Sequence, residues 1–248
     1  MGEFVPGGID LERLASAYGH RAAGEADRRR ASIAADAAGL EPGDVAIDVG
    51  GGRGGHAAVF AARGAMAVVV DRSPVMARHS AAAGIPTVVA DGERLPLGAG
   101  VARLVYFHLS IHHGDAVRMI GEAARVTRSG GTVWIWTLDH SHHRASFLTR
   151  WFPSVGPIDE QRFPHPDLLA EALAEEGLTA IPTIVRRDDV VRPAVEWEAA
   201  VRSGFVSTLQ LIDAEELADG LERFRSAHPD PSERIEYSLL FRCVAGRK

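Results

Sequence analysis

Between residues 45 and 137 short apolar runs keep returning, and most of the gaps between them read as helix. The runs are Val45-Ala46-Ile47-Asp48-Val49, Ala65 to Val70, Thr87 to Ala90, Arg103 to Phe107 and Thr132 to Thr137. The spacing predicts helices over about 55–63 and 74–83 between the first three. Parallel strands need a long crossover, usually helical, so this alternation predicts βαβ units and a parallel sheet covered on both faces. The flanking text differs. Residues 9–39 carry Ile9, Leu11, Leu14, Ala15, Tyr18, Ile33, Ala34, Ala37 and Ala38 at helical spacings, and Pro42-Gly43-Asp44 makes a turn. Residues 140–163 are rich in His, Phe, Trp and Pro without a clear period. A helix opened by Pro166 and stopped by Gly177, a strand over 180–185, a helical excursion over 194–227 and a last strand, Ile235 to Val244, complete the chain.

At 248 residues one α/β domain with a small lid accounts for the whole length, and 46% apolar with 24% charged residues is the make-up of a folded chain. The net charge of -6 argues against a duplex nucleic-acid partner, and Arg28-Arg29-Arg30 reads as a solvated helix face. A lone cysteine, Cys243, forbids an intrachain disulfide and fits a reducing cytosol. The first residues lack a basic stretch followed by an apolar core, Pro6 stands where a myristoylation signal wants Ser or Thr, and no apolar stretch is long enough to span a membrane. A cytoplasmic protein with no membrane and no nucleic-acid partner is expected; a homodimer is left open.

The glycine run after the first strand has two readings. Gly50, Gly52 and Gly55 satisfy the dinucleotide pattern GxGxxG. The same text, Asp48-Val49-Gly50-Gly51-Gly52-Arg53-Gly54, is also acidic-x-G-x-G-x-G. A carboxylate at the strand tip serves a pyrophosphate poorly, because that site works through backbone N–H groups and a positive helix end. It suits a ligand bearing an ammonium and a sulfonium. A tight turn with no ligand is the plain alternative. Asp71 closes the second strand where an acid can accept from a ribose diol, and Asp91 closes the third, in Asp91-Gly92-Glu93-Arg94-Leu95-Pro96-Leu97.

From about residue 40 to 137 the chain resembles the class I S-adenosylmethionine-dependent methyltransferases, in particular small-molecule enzymes with a D-A-E-x-L-P-F-like segment after the third strand. Gly92 replaces the usual Ala, Leu97 the usual Phe, and Ala102-Arg103 stands where relatives often carry an acid. The resemblance implies an α/β, Rossmann-like, doubly wound fold: a seven-stranded, mostly parallel sheet with an antiparallel last strand and a small helical cap. It implies S-adenosylmethionine as cofactor, with Gly50 and Gly52 along the methionine moiety, Asp71 on the ribose and Asp91 on the adenine amino group. Asp48, Arg72, Gly92, Phe107 and Tyr18 belong to the same implied site. One domain is expected over 1–248, with 1–40 as an N-terminal lid that carries Tyr18 and His20, and with 140–165 and 190–230 as acceptor-cap insertions.

Six of the eleven histidines fall in two windows, His108, His112 and His113 after the fourth strand and His140, His142 and His143 after the fifth. Ligands of open α/β sheets bind outside the carboxyl ends of the strands, which is where both windows lie. Phe107-His108-Leu109-Ser110-Ile111-His112-His113 is similar to the L-H-H segment of many small-molecule and sugar methyltransferases, in some of which a His and an acid after strand five act on the acceptor hydroxyl. Imidazole titrates near neutral pH and a carboxylate fixes its tautomer, so His113, or else His112, is expected as general base with Asp139. Alternatively, one of the pair caps the following helix. A metal is not expected: neither window has the i, i+4 pair of a zinc helix, and the carboxylate cluster for magnesium is missing.

For the acceptor, a small molecule methylated on O or N, the expected contacts are His108, His140, Trp151, Phe152, Arg162 and Phe205. Phe163 and Trp197 would extend the apolar lining, and Arg150 and Arg202 offer further cations. Each aromatic reads equally well as packing. Two other functions compete: an NAD-dependent oxidoreductase, resting on GxGxxG alone, and a non-catalytic subunit that binds S-adenosylmethionine.

Overall fold

A computed structural model describes residues 9–10 and 24–248. In chain order it contains α1 (Glu25–Ala38), β1 (Val45–Val49), α2 (Gly55–Ala61), β2 (Met66–Asp71), α3 (Pro74–Ala82), β3 (Thr87–Val89), β4 (Ala102–His108), α4 (Ala116–Val126) and β5 (Thr127–Leu138). Then follow α5 (His142–Ala145), α6 (Phe147–Trp151), α7 (Val155–Arg162), α8 (Pro166–Glu175), β6 (Thr179–Pro193), α9 (Ala194–Ser203), α10 (Ala214–Ala227) and β7 (Arg234–Arg247). The seven strands form one sheet in the order β3-β2-β1-β4-β5-β7-β6. β1 pairs in parallel with β2 and β4, β2 with β3, and β4 with β5. β7 runs the other way: Gly130 N–H donates to the Lys248 carbonyl, and Asp139 N–H to that of Leu240. The strand order reverses between β1 and β4, which makes the crevice where open α/β sheets bind ligands.

The chain divides into two compact units. The larger takes in Arg21–Thr137, Pro164–Ile184 and Arg242–Lys248, and its core joins Ile47, Val49, Phe107, Ile111, Ile120 and Ile135 among others. α4 explains how the helices attach: Met119, Ile120, Ala123, Ala124 and Val126 recur on one face, all buried against the sheet. The smaller unit holds Leu138–Phe163 and Val185–Phe241 and has an aromatic core of its own, with Trp151, Phe152, Trp197 and Phe224. The segments 140–165 and 190–230 fall largely within it. Tyr18 and His20, with residues 1–8 and 11–23 of the expected lid, lie outside the described residues.

Three expectations are corrected. β5 begins at Thr127, well before the expected start at Thr132, so Arg128-Ser129-Gly130-Gly131 lies inside the strand. There Gly130 takes φ 74° while it bonds to the chain end. β6 runs to Pro193, well past residue 185. The aperiodic stretch 140–163 contains three short helices.

Candidate active site

In the larger unit, the carboxyl ends of β1, β2 and β3 carry Asp48, Asp71 and Asp91. Gly50 sits at φ 68°, its N–H on the Val70 carbonyl at 2.7 Å, and a Cβ there would collide with Ser110. Ser110 in turn donates its hydroxyl to the Val49 carbonyl at 2.6 Å. The loop is thus clamped between two strand ends by a contact that only glycine permits. Gly52, at φ 54°, donates to Asp71 Oδ2 at 2.9 Å, and Ser73 N–H donates to Oδ1 at 2.9 Å. Asp91 is exposed and accepts from Glu93 N–H at 2.9 Å. Gly92 has a reason to be smaller than Ala: an added Cβ would lie 2.7 Å from Met119 Cε and 3.0 Å from Val49 Cγ1. Arg72 is exposed, and Phe107 is fully buried in the core. Arg103 donates to the Gly130 carbonyl at 2.8 Å.

Asp48 stands apart. It is 1% exposed, and neither oxygen makes a hydrogen bond among the described residues; His56 Nδ1 lies 3.9 Å from Oδ2. Burial first, and then the charge of Asp71, push its carboxyl up to about 7, while the Ala57 amide pulls the other way. Beside it Arg30 donates to His108 Nε2 at 2.9 Å and to Asp27 Oδ1 at 2.5 Å. Arg30 is 2% exposed, which corrects the reading of Arg28-Arg29-Arg30 as wholly solvated; Arg28 and Arg29 are exposed. Ligand atoms of Asp27, His56 and His108 lie within 4.8 Å of one another, a set with the chemistry of a cation site. The Arg30 guanidinium already bonds two of the three, which makes the group a satisfied ionic network.

The β4 end is strained. Leu109 takes φ 51°, the one positive value at a non-glycine among the described residues, and a 3₁₀ turn, Ile111–His113, follows. His112 is buried, with its ring centroid 4.2 Å from that of His113. Neither caps the next helix. Asp115 does so, accepting from Val117 and Arg118 N–H. That leaves the two imidazoles without a capping role, and Leu109 is the kind of backbone outlier that collects at working sites.

In the smaller unit, Asp139 is buried and accepts from Ser141 N–H at 3.0 Å and from the Ser141 hydroxyl at 2.5 Å. Burial lowers His142, against Asp139, which raises it. His143 is 1% exposed, makes no hydrogen bond from either nitrogen among the described residues, and is pushed down to about 4 by burial and then by His140 and His142. Its ring lies 5.5 Å from His140 and 4.9 Å from Phe163. A cavity of about 820 Å³ is lined by Ser141, His142, Phe147, Arg150, Arg187 and Tyr237 among others. Several expected acceptor contacts pack the unit instead. Trp151 and Phe152 belong to its core, where Trp197 stacks on Phe224 at 4.1 Å. Arg162 donates to Thr208 Oγ1 at 2.6 Å and Ser207 Oγ at 3.0 Å, beside buried Asp159. Phe205 is half-buried under the Arg192 guanidinium, 5.7 Å from its ring centroid, and Arg202 is exposed on Glu198.

The family model described as methyltransferase domain matches residues 47–135, the stretch from β1 to β5 that carries these strand-end acids. Residues 47–135 are thus a methyltransferase domain. An uncharacterized methyltransferase of Mycobacterium sp. (strain JLS) is 39% identical over 102 residues, which are 38% of this chain and 40% of that relative's length. Among solved structures, a protein assigned as a methyltransferase from an antibiotic biosynthesis pathway of Anabaena variabilis ATCC 29413 superposes with TM-score 0.64 at 22% identity, over 87% of this chain and 96% of that one. The geranyl diphosphate C-methyltransferase of Streptomyces coelicolor A3(2), solved with Mg2+, geranyl diphosphate and S-adenosyl-L-homocysteine, gives 0.54 at 15% identity, over 89% and 79%. The methyltransferase fold puts the glycine loop, Asp71 and Asp91 at three adjoining strand ends, and the structure adds Asp27, Arg30 and His56, which sequence reasoning missed. No local signal marks those three: their burial comes from α1 packing on β4 and on α2, which itself lies on β1 and β2.

Proposed function

We propose that this methyltransferase moves the methyl group of S-adenosylmethionine onto an O or N atom of a small-molecule acceptor. The observation that carries the reading is Asp48, a buried carboxylate that makes no hydrogen bond of normal geometry among the described residues, beneath the glycine loop. An orphaned buried charge is costly unless a ligand compensates it, and the amino-acid end of S-adenosylmethionine is cationic at its ammonium and sulfonium. Gly50 and Gly52 would then line the methionine moiety, Asp71 the ribose, and the exposed Asp91 the adenine amino group, with Arg72 and Gly92 alongside. When bound, the cofactor supplies a methyl group activated by sulfonium.

The chain's own task is alignment and removal of one proton. We assign the proton to His113, with His112 as the alternative, because a hydroxyl attacks only as it loses its proton. Asp139 is proposed as the group that orients the imidazole; that pairing rests on sequence position, since the histidines and the acid belong to different units. The geranyl diphosphate enzyme binds a small acceptor, which supports a small acceptor here. The net charge of -6 supports no nucleic-acid partner. No described helix is long and apolar enough to cross a membrane, and with the lone cysteine this favours the cytoplasm. Titration calorimetry with S-adenosylmethionine and NAD, then transfer of label to phenols, sugars, amines and carboxylates, tests the reading. Binding of NAD with none of S-adenosylmethionine would overturn it in favour of an oxidoreductase. Cofactor binding without turnover on any acceptor would favour the non-catalytic subunit. Activity is expected to survive EDTA; loss that one divalent ion restores would make a metal site of a histidine group.

A further inference from the structure

β6 is the outermost strand of the sheet, and among the described residues no strand takes up the backbone groups along its outer edge. Residues 185–192 of it lie wholly in the smaller unit. Alternate residues of a strand share a face, and here one face presents Val185, Arg187, Asp189 and Val191. All four are open to solvent: Val185 is 50% and Val191 41% exposed, and the Arg187 and Asp189 side chains 71% and 73%. Pro182 and Pro193, which lack the N–H a ladder needs, bracket this window.

Edge strands commonly avoid pairing through charged side chains, lysine above all, which repel a second copy when one sign dominates. Here the signs balance. Arg187 and Asp189 sum to zero, and the order Val-Arg-Asp-Val is its own complement when read antiparallel. We propose that the outer edge of β6 pairs with β6 of a second copy, antiparallel about a two-fold axis at Asp188, to make a homodimer with one continuous sheet. Residues opposite each other in an antiparallel pair must share a face, which restricts the register to axes that pass at a residue. With the axis at Asp188, Val185 faces the partner's Val191 and Arg187 faces the partner's Asp189, and symmetry makes each contact twice. Shifting the axis to Arg187 sets two guanidiniums against each other and leaves Val185 opposite a carboxylate. At the chosen axis Asp188 meets its twin on the other face, where Arg186, 3.0 Å from Asp188 within its own chain, offsets the repulsion. Arg187, Asp189 and Val191 also line the cavity of this unit, so the second strand would run alongside it.

Sedimentation velocity on the full chain over a concentration series tests this independently of methyl transfer. The expected result is a monomer–dimer equilibrium that weakens as salt is raised. Arg187→Asp and Asp189→Arg should each raise the dissociation constant by roughly tenfold or more, because like charges then stand opposite. The double variant restores opposite charges in exchanged positions and should dimerise again. In the unaltered protein, amide exchange over 185–192 should slow as concentration rises. A chain that stays monomeric, a dimer indifferent to single reversals, a double variant that folds but does not recover, or exchange independent of concentration would overturn the proposal.

Discussion

Asp48 in the larger unit and Asp159 in the smaller are both sealed from water, and burial raises both, to about 7 and about 6. Their surroundings are opposite. Asp159 accepts from the Thr208 hydroxyl and stands 3.6 Å from Arg162, which has two hydroxyl partners of its own. Asp48 has the Asp71 charge against it, the Ala57 amide in its favour, and no hydrogen bond of normal geometry among the described residues. A buried acid whose needs are met from within is part of the packing. One left waiting marks a site, because folding alone gains nothing from it.

The largest expected effect separates chemistry from stability. Replacing His113 by Ala should lower turnover on a hydroxyl acceptor by roughly 100- to 10,000-fold with little change in cofactor affinity, and the rise of rate through the imidazole range should vanish from the pH profile. Asp139→Asn should reproduce much of the defect. Near-normal turnover in His112→Ala, His113→Ala and Asp139→Asn alike would leave positioning alone as the mechanism.

Asp159→Ala sharpens the other side. It strips a buried guanidinium of its carboxylate and should cost about 3–5 kcal/mol in denaturant unfolding. Cofactor binding by the protein that remains folded should hold. A variant as stable as the parent would break the contrast between the two acids.

Asp48→Asn should do the reverse. An Asp raised to about 7 in the native state, against roughly 3.9 when unfolded, holds an extra proton between those values. Stability therefore falls as pH rises from about 4 to about 7 and is flat above. The amide removes that slope, so above pH 7 the variant should be more stable by roughly 2–4 kcal/mol while it binds S-adenosylmethionine more weakly. Loss of stability instead would mean that Asp48 is met in the native state.

The smallest effect belongs to Asp71→Ala, which should weaken cofactor binding by about 1–3 kcal/mol, the cost of an unpaired polar ligand group. Because Asp71 also accepts from Gly52 and Ser73 N–H, a concentration of S-adenosylmethionine high enough to saturate the variant should recover its turnover.

The glycine loop and its acids were readable because the signal is local. A parallel strand buried on both faces is a continuous apolar run, and its ligand-binding residue follows within a few positions. β6 was cut short for the opposite reason: its second half is an exposed edge whose Arg-Arg-Asp-Asp hides the strand pattern. Trp151 and Phe152 looked like a pocket wall because an apolar side chain carries no mark of whether a ligand or another side chain will cover it.

By itself, then, the sequence determined the order of the seven strands along the chain, the direction of the first five and the acids at three strand tips, all set by residues near one another along the chain. Tertiary structure alone decided which charges are satisfied. Arg30 finds His108 across 78 residues, and Arg162 finds Thr208 across 46. Asp48 makes no hydrogen bond of normal geometry among the described residues, and the nearest imidazole nitrogen, on His56, stops at 3.9 Å. Pairing of buried charges depends on distances between elements, and no spacing along the chain encodes those distances.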